Sequence, residues 1–272
     1  MRMPELPEVE TIVRGLRGPL VGRTIVGVRV GWENLIAKPT VEEFKRRLVG
    51  RKILAVRRRG KYLLFPLSGG GCLIVHLRMT GRLLLKNAGD DPDKYDHLIF
   101  ELDDGRELRF NDMRKLGRVY LVEDADEIVG RLGPEPLDDD FTPADFAALL
   151  SRRRGRIKAL LLNQRFIAGI GNIYADEALF AARIHPERRA DTLTAEEIER
   201  LYGAIRRVLR QGIENRGTTL ATYRDAEGRE GRNQDYLRVF RRRGQPCPRC
   251  GTPIERIVVG GRGTYFCPRC QR

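Results

Sequence analysis

The sequence has no apolar run that approaches the ~18 residues needed to span a bilayer, and its basic start lacks the apolar stretch of a signal peptide. Negative charge is also scarce, with 37 acidic residues against 51 Lys and Arg, which leaves a net charge of +14. We therefore expect a cytoplasmic, nucleoid-associated protein without a membrane partner. The charge favours nucleic acid over acidic substrates or a membrane surface, although an Arg-rich proteome would also raise it.

Cysteine is sparse as well, and its placement argues against a disulfide framework. Four of the five cysteines form two CPRC pairs, separated by 16 residues, near the end of the chain. Two such pairs suit a tetrahedral zinc ion, and four thiolates leave no open position, so the site is structural. An iron centre or reactive thiols are the alternatives. The zinc ligands are predicted to be Cys247, Cys250, Cys267 and Cys270, whereas Cys72 belongs to an apolar strand pattern and to the core.

Short β-branched or alternating runs dominate the first half of the chain. They predict an antiparallel sandwich or barrel, with helices beginning near Pro7 and after Thr40. A Pro-, Gly- and Asp-rich stretch follows, and helical patterns begin at Thr142 and Thr194. The predicted domains are a β-sandwich over 1–130, a linker over 131–140, a helical domain over 141–236 and a zinc finger over 237–272.

The segment AGIGNIYADEALF (168–180) combines a glycine-rich turn with a helical pattern. Backbone N–H groups at such a helix start suit a phosphate. An ordinary helix corner capped by Asn172 explains the pattern equally well. The basic run SRRRGRIKALL just before it is either a solvated face or a phosphate-tracking surface, and its proximity to the turn favours the second reading.

Six segments resemble, in the same order, those of bacterial formamidopyrimidine-DNA glycosylases: PELPEVET, RRRGKYLL, HLRMTGRL, NDMRKLG, AGIGNIYADE and GRGTYFCPRCQ. The resemblance runs from Pro4 to Gln271. The related endonuclease VIII branch typically starts with Pro-Glu-Gly, where this chain has Pro-Glu-Leu. The resemblance implies an α+β fold in which an N-terminal antiparallel β-sandwich with flanking helices precedes a helix–two turn–helix domain and a zinc-ribbon β-hairpin.

The resemblance also implies an enzyme, a monomeric DNA repair glycosylase with abasic-site lyase activity. Its substrate is double-stranded DNA with oxidised purines, such as 8-oxoguanine opposite cytosine, or with abasic sites, held in a cleft between the domains. Pro4 is the amine that forms a Schiff base, and Glu5 is its acid–base partner. Lys61 supports β-elimination and Arg262 supports δ-elimination.

Further residues match positions that hold the DNA in this family. An active site cannot reach a base inside a duplex, so the enzyme everts the nucleotide, and protein side chains fill the gap that it leaves. Met79, Arg114 and Leu116 match the gap-filling positions, with Arg114 facing the orphaned cytosine. The other DNA-contacting matches are His97, Arg153, Lys158 and Asn172.

Three residues precede the expected nucleophile, which is a departure from the family. An amide nitrogen cannot form an imine, so Pro4 is inactive while Met1-Arg2-Met3 is attached. A methionine before proline is readily removed, whereas one before arginine is not. We therefore expect translation to begin at Met3 and the mature chain to start at Pro4.

Two other departures concern DNA contacts. The family usually has phenylalanine at the position of Leu116, and a leucine stacks less well. Phe240 and Arg241 stand where a Tyr-Gly pair is common, which removes a tyrosine hydroxyl from that position.

Three other functions compete with this interpretation. An oxidised-pyrimidine glycosylase of the endonuclease VIII type shares the chemistry. A catalytically silent zinc-ribbon protein would bind damaged or single-stranded DNA and form no imine. An RNA-associated ribbon protein leaves the PELPE start and the Met79–Arg114 pair unexplained.

Overall fold

The computed structural model describes residues 3–151 and 153–272, so the expectation for Met1 and Arg2 lies outside the described residues. The chain forms two compact units. The first, called the β unit here, contains the chain up to Arg131 together with Asn215–Gln234. The second, called the helical unit, contains Leu132–Glu214 and Asp235–Arg272.

The elements of the β unit are α1 Leu6–Leu20, β1 Ile25–Val30, a 3₁₀ turn Glu33–Leu35, β2 Ile36–Lys38, α2 Val41–Leu48, β3 Arg57–Arg59, β4 Tyr62–Pro66, β5 Cys72–His76, β6 Arg82–Asn87, β7 Asp96–Leu102, β8 Arg106–Asn111, β9 Arg118–Val122 and α3 Asp126–Val129. The strands form two sheets, one of four strands in the order β1-β7-β8-β6 and one of five in the order β2-β9-β5-β4-β3. Strand β2 pairs with β9 in parallel, and the other described pairs are antiparallel.

One apolar core joins both sheets to the first helix. Phe65 of the five-stranded sheet and Phe100 of the four-stranded sheet are buried in the same cluster as Ile12 of α1. The predicted start of α2 is confirmed, since the Glu43 N–H donates to the Thr40 hydroxyl at 3.4 Å. The alternating apolar pattern therefore produced the predicted sandwich, because strands of both sheets turn apolar residues toward this core.

The helical unit packs around helix α6 (Asn172–Ala182), whose residues are almost all buried. Helix α7 (Ala195–Glu214) approaches it so closely that a Cβ at Gly212 would lie 2.6 Å from the Tyr174 ring. The predicted start of α7 is confirmed by reciprocal hydrogen bonds between Thr194 and Glu197. The elements are α4 Pro143–Ser151, α5 Ile157–Leu162, α6 Asn172–Ala182, a 3₁₀ turn Ala190–Thr192, α7 Ala195–Glu214, a second 3₁₀ turn Asn233–Tyr236, β10 Glu255–Val259 and β11 Arg262–Phe266. Among the described residues, no helix is both long and apolar enough to cross a bilayer.

Residues 215–234, which the sequence analysis assigns to the helical domain, pack with the β unit. The Thr218 N–H donates to the Glu8 carboxylate at 2.7 Å, and the Tyr223 hydroxyl lies 3.3 Å from the Glu8 carbonyl oxygen. The Leu85 N–H donates to the Ala226 carbonyl at 2.9 Å. These hydrogen bonds join residues far apart in sequence, which a local composition cannot indicate.

Candidate active site and zinc centre

Pro4 and Glu5 immediately precede α1, and both are buried. The Glu5 N–H donates to Glu8 Oε2 at 2.8 Å, and Glu8 Oε1 accepts the Thr218 N–H. One buried carboxylate thus holds both the backbone of Glu5 and the entry to the 215–234 segment. The Pro4 nitrogen is bonded to Met3 in this chain and is an amide without nucleophilic character.

Lys61 lies in the turn between β3 and β4, next to Gly60. Gly60 has a φ of +57°, which is unfavourable for residues other than glycine. The Lys61 side chain is 5% exposed. The adjacent Tyr62 pairs across the ladder with His76, and the two rings meet edge to face at 4.5 Å between centroids. The turn and the ladder thereby fix the position of Lys61.

His76 is a residue near this turn that the sequence analysis did not single out, although it lies in the HLRMTGRL segment. Its burial, together with the positive charges of Arg78 and Lys61, lowers its pKa to about 3. The imidazole is therefore neutral at pH 7, and its Nδ1 accepts the Arg78 N–H at 3.0 Å. What marks His76 is that its imidazole and the nearby Lys61 are both buried. The sequence alone did not indicate this, because burial is seen only in the folded chain.

The structure brings together the residues predicted to fill the gap. Arg114 Nη1 lies 3.7 Å from Met79 Sδ, and Leu116 follows on the same loop as Arg114. His97, predicted to contact DNA, is only 7% exposed, and its Nε2 lies 3.1 Å from the Asp112 carbonyl oxygen. That imidazole therefore supports the loop carrying Arg114 and Leu116 and presents little surface to a ligand.

In the helical unit, Asn172 is the first residue of α6, and it does not serve as the N-cap, which is Gly171. Its Nδ2 donates to the Gly263 carbonyl of the zinc hairpin at 2.8 Å. Arg262 is exposed and begins β11, directly after the Gly260–Gly261 turn. Asn172 thus helps to fix the backbone next to Arg262.

Two basic residues predicted to contact DNA have opposite environments. Arg153 is exposed, whereas Lys158 is fully buried. The Lys158 ammonium lies 2.6 Å from the Asp176 carboxylate, and it donates to the Thr264 hydroxyl at 2.6 Å and to the Gly263 carbonyl at 3.3 Å. A phosphate contact by Lys158 would require these bonds to break, so its geometry suits a support of the hairpin.

Phe240, one of the departures from the family, is 1% exposed and packs on the Tyr265 ring at 5.3 Å between centroids. Its N–H donates to the buried Glu177 carboxylate, as do those of Arg238 and Val239. Phe240 therefore belongs to the core of the helical unit.

The four cysteines predicted to bind zinc converge in the helical unit, and their sulfur atoms all lie within 4.8 Å of one another. Sγ of Cys250 lies 3.5 Å from that of Cys267, and Sγ of Cys247 lies 3.9 Å from that of Cys270. Zn–S bonds of about 2.3 Å in a tetrahedron require sulfurs about 3.8 Å apart. The cluster fits one structural zinc ion, which ties the two ends of the hairpin together.

Cys72, by contrast, lies on β5 in the β unit and is 6% exposed. Its burial raises the pKa of the thiol to about 11. The prediction that it is a core residue is confirmed.

Comparison with known proteins places the whole chain in one family. Three family models match in succession: the formamidopyrimidine-DNA glycosylase N-terminal domain over residues 3–119, the H2TH domain of the same enzymes over 132–224, and the zinc finger found in FPG and IleRS over 244–272. Formamidopyrimidine-DNA glycosylases of Herpetosiphon aurantiacus and Pelotomaculum thermopropionicum are each 53% identical to the chain. The alignments cover 99% of this chain and 100% and 99% of those proteins.

Solved structures agree with this match. The MutM (Fpg) protein from Thermus thermophilus is 46% identical, with a TM-score of 0.89 and 98% of each chain covered. The complex of Lactococcus lactis Fpg with DNA containing an abasic site is 37% identical, with a TM-score of 0.92, and covers 98% of this chain and 99% of that one. The complex of that Fpg with Fapy-dG DNA has a TM-score of 0.91 at 36% identity and covers 98% and 100%.

Proposed function

Because the chain belongs to the formamidopyrimidine-DNA glycosylase family and is a DNA glycosylase, we propose that it excises oxidised purines and then cleaves the strand. The substrates are formamidopyrimidines and 8-oxoguanine opposite cytosine, in double-stranded DNA. The relatives' names and the Fapy-dG and abasic-site complexes of Lactococcus lactis Fpg support this substrate class. The observation that carries the proposal is the buried Pro4–Glu5 pair at the start of α1.

Pro4 acts once its nitrogen is a free secondary amine. It bonds to the sugar C1′ as the bond from C1′ to the damaged base breaks and the base leaves. Glu5 then supplies the proton that the ring oxygen takes up as the C1′–O4′ bond breaks, which leaves C1′ joined to Pro4 as an iminium ion. Eliminations then break the C3′–O and C5′–O bonds, which leaves phosphates on both sides of the gap. A terminal amine titrates near ~7.7–8.0, so a useful fraction is neutral at pH 7.

The mature chain on this proposal starts at Pro4, after translation from Met3. The family model's match beginning at residue 3 supports that start.

DNA binding is proposed to involve both units. The exposed Arg114 and the half-buried Met79 and Leu116 of the β unit fill the space of the everted nucleotide. The exposed Arg153 and Arg262 of the helical unit, with Asn172, hold phosphates.

Borohydride trapping on a duplex with 8-oxoguanine opposite cytosine tests the proposal. We would compare chains expressed from Met1 and from Met3, with intact masses to establish each N-terminus. The Met3 chain is expected to cross-link, and Pro4→Gly and Glu5→Gln are each expected to weaken the cross-link. Glu127→Gln, which removes an exposed ion pair between α3 and Lys38, serves as the control.

The alternatives give different results. Cross-linking by a Met1 chain that retains all three residues would assign the chemistry to another amine. Binding of the duplex without any cross-link would leave a zinc-bearing DNA-binding protein. Faster excision of thymine glycol than of 8-oxoguanine would favour the endonuclease VIII type.

A further inference from the structure

Asp112 is a fully buried carboxylate between the two loops that carry Met79, Arg114 and Leu116. Its Oδ1 accepts hydrogen bonds from the Thr80 hydroxyl and from the Arg114 N–H, the latter at 3.1 Å. Its Oδ2 accepts the N–H groups of Leu116 and Gly117, each at 2.8 Å. Four donors from two separate loops thus converge on one side chain.

The same two loops also close on one aromatic ring. A Cβ at Gly81 would lie 2.8 Å from Phe110 Cζ, and a Cβ at Gly117 would lie 2.3 Å from the same atom. Phe110 itself is fully buried and is followed, two residues later, by Asp112. The Phe110 ring therefore packs against both loops, and the Asp112 carboxylate joins the same loops through hydrogen bonds.

Each loop contains a residue in the left-handed region, Arg78 at φ 54° and Lys115 at φ 55°. Such a conformation is unfavourable for these side chains, so it persists only where surrounding contacts determine it. In the second loop, the hydrogen bonds from the N–H groups of Arg114 and Leu116 to Asp112 hold Lys115 in this conformation. In the first loop, the Arg78 N–H bond to His76 and the Thr80 bond to Asp112 do the same.

We propose that Asp112 is a positioning residue that assembles Met79, Arg114 and Leu116 into a preformed wedge before DNA binds. It acts through the backbone of both loops and does not touch the DNA, because its own side chain has no exposed surface. A wedge formed in advance avoids the loss of conformational entropy that ordering two loops upon binding would require. This inference rests on the proposed function, since it concerns the gap-filling role of these three residues.

The test separates wedge insertion from the chemistry. Asp112→Asn keeps the size of the side chain but turns an NH₂ group toward N–H or O–H donors, which leaves buried donors unsatisfied. We would measure single-turnover excision of 8-oxoguanine from a duplex, and cleavage of an abasic site in single-stranded DNA. The second substrate has no partner strand and no gap to fill.

We expect Asp112→Asn to slow duplex excision by roughly 10- to 100-fold, the equivalent of one or two buried donors left unpaired. Single-strand cleavage should remain within about twofold of the parent protein, because the amine chemistry does not use the wedge. Thr80→Val removes one of the four donors to Asp112. It should slow duplex excision less than Asp112→Asn does and should likewise spare single-strand cleavage, which keeps the test valid if Asp112→Asn folds poorly.

Glu107→Gln is the matched control, because Glu107 is a buried carboxylate on β8 that pairs with Arg29 and Arg109 and not with either loop. It should leave the ratio of the two activities unchanged, even if it lowers thermal stability. Equal losses of both activities in Asp112→Asn, or no loss in the duplex reaction, would overturn the positioning role. Absence of single-strand cleavage in the parent protein would instead contradict the proposed lyase function.

Discussion

The Lys158 ammonium lies 2.6 Å from the Asp176 carboxylate, and neither side chain is exposed. The ammonium also donates to Thr264 and Gly263, the residues that follow Arg262 on β11, and Asp176 Oδ2 accepts the Tyr265 N–H at 2.9 Å. The pair thus fixes the strand that carries Arg262. This geometry gives Lys158 a role that differs from the DNA contact implied by resemblance.

Replacing Lys158 with methionine should therefore destabilise the protein. Removing the ammonium leaves the buried Asp176 carboxylate without its positively charged partner, which lowers the unfolding free energy by about 3–5 kcal/mol. Urea unfolding measures the change. Adding Asp176→Leu should restore much of the lost stability, because no buried charge remains. Unchanged stability with weakened DNA affinity would support the direct DNA contact instead.

Loss of the zinc ion should disable DNA binding by the helical unit. The ion ties the ends of the hairpin that presents Arg262, and folding of such a segment is coupled to metal binding. Cys250→Ser should release the zinc and weaken binding of an abasic-site duplex. A chromogenic chelator measures the zinc content, and Cys72→Ala serves as the control that retains it. Full DNA affinity in the zinc-free protein would contradict this role.

Local patterns in the sequence predicted the features that depend on local spacing. The CPRC pairs located the zinc site, alternation located the sandwich, and the Thr40–Glu43 and Thr194–Glu197 pairs located helix starts. Patterns of this kind could not predict the burial of Lys158, whose partner Thr264 is 106 residues away. The same limit applies to His76 and Asp112, whose roles depend on neighbours that only the folded chain supplies.

His76 should make stability depend on pH between neutrality and mild acid. Burial, with Arg78 and Lys61, lowers its pKa to about 3 in the folded protein, whereas the unfolded chain takes up the proton below about pH 6.5. Its contribution to stability is therefore complete above that pH and is lost as the pH falls toward 3. The loss approaches ~1.4 kcal/mol per pH unit within this range.

Urea unfolding at pH 7 and pH 5 would measure this dependence for the parent protein and for His76→Asn. The asparagine oxygen can accept the Arg78 N–H but does not titrate. We expect the variant to lose less stability between the two pH values. An identical loss in both proteins would show that other groups cause the acid destabilisation.

Leu116→Phe should strengthen the wedge. The Leu116 N–H is held by Asp112, so the backbone at this position is fixed and the change is confined to the side chain. Stacking of an aromatic ring on a base contributes about 1–3 kcal/mol, of which leucine already supplies part. We expect up to roughly tenfold tighter binding of a duplex that contains an abasic-site analogue. Met113→Phe is the control, because Met113 is 46% exposed on the same loop but outside the wedge. An equal gain in both variants would indicate a general apolar contact, whereas a gain confined to Leu116→Phe identifies this position as the one that enters the base stack.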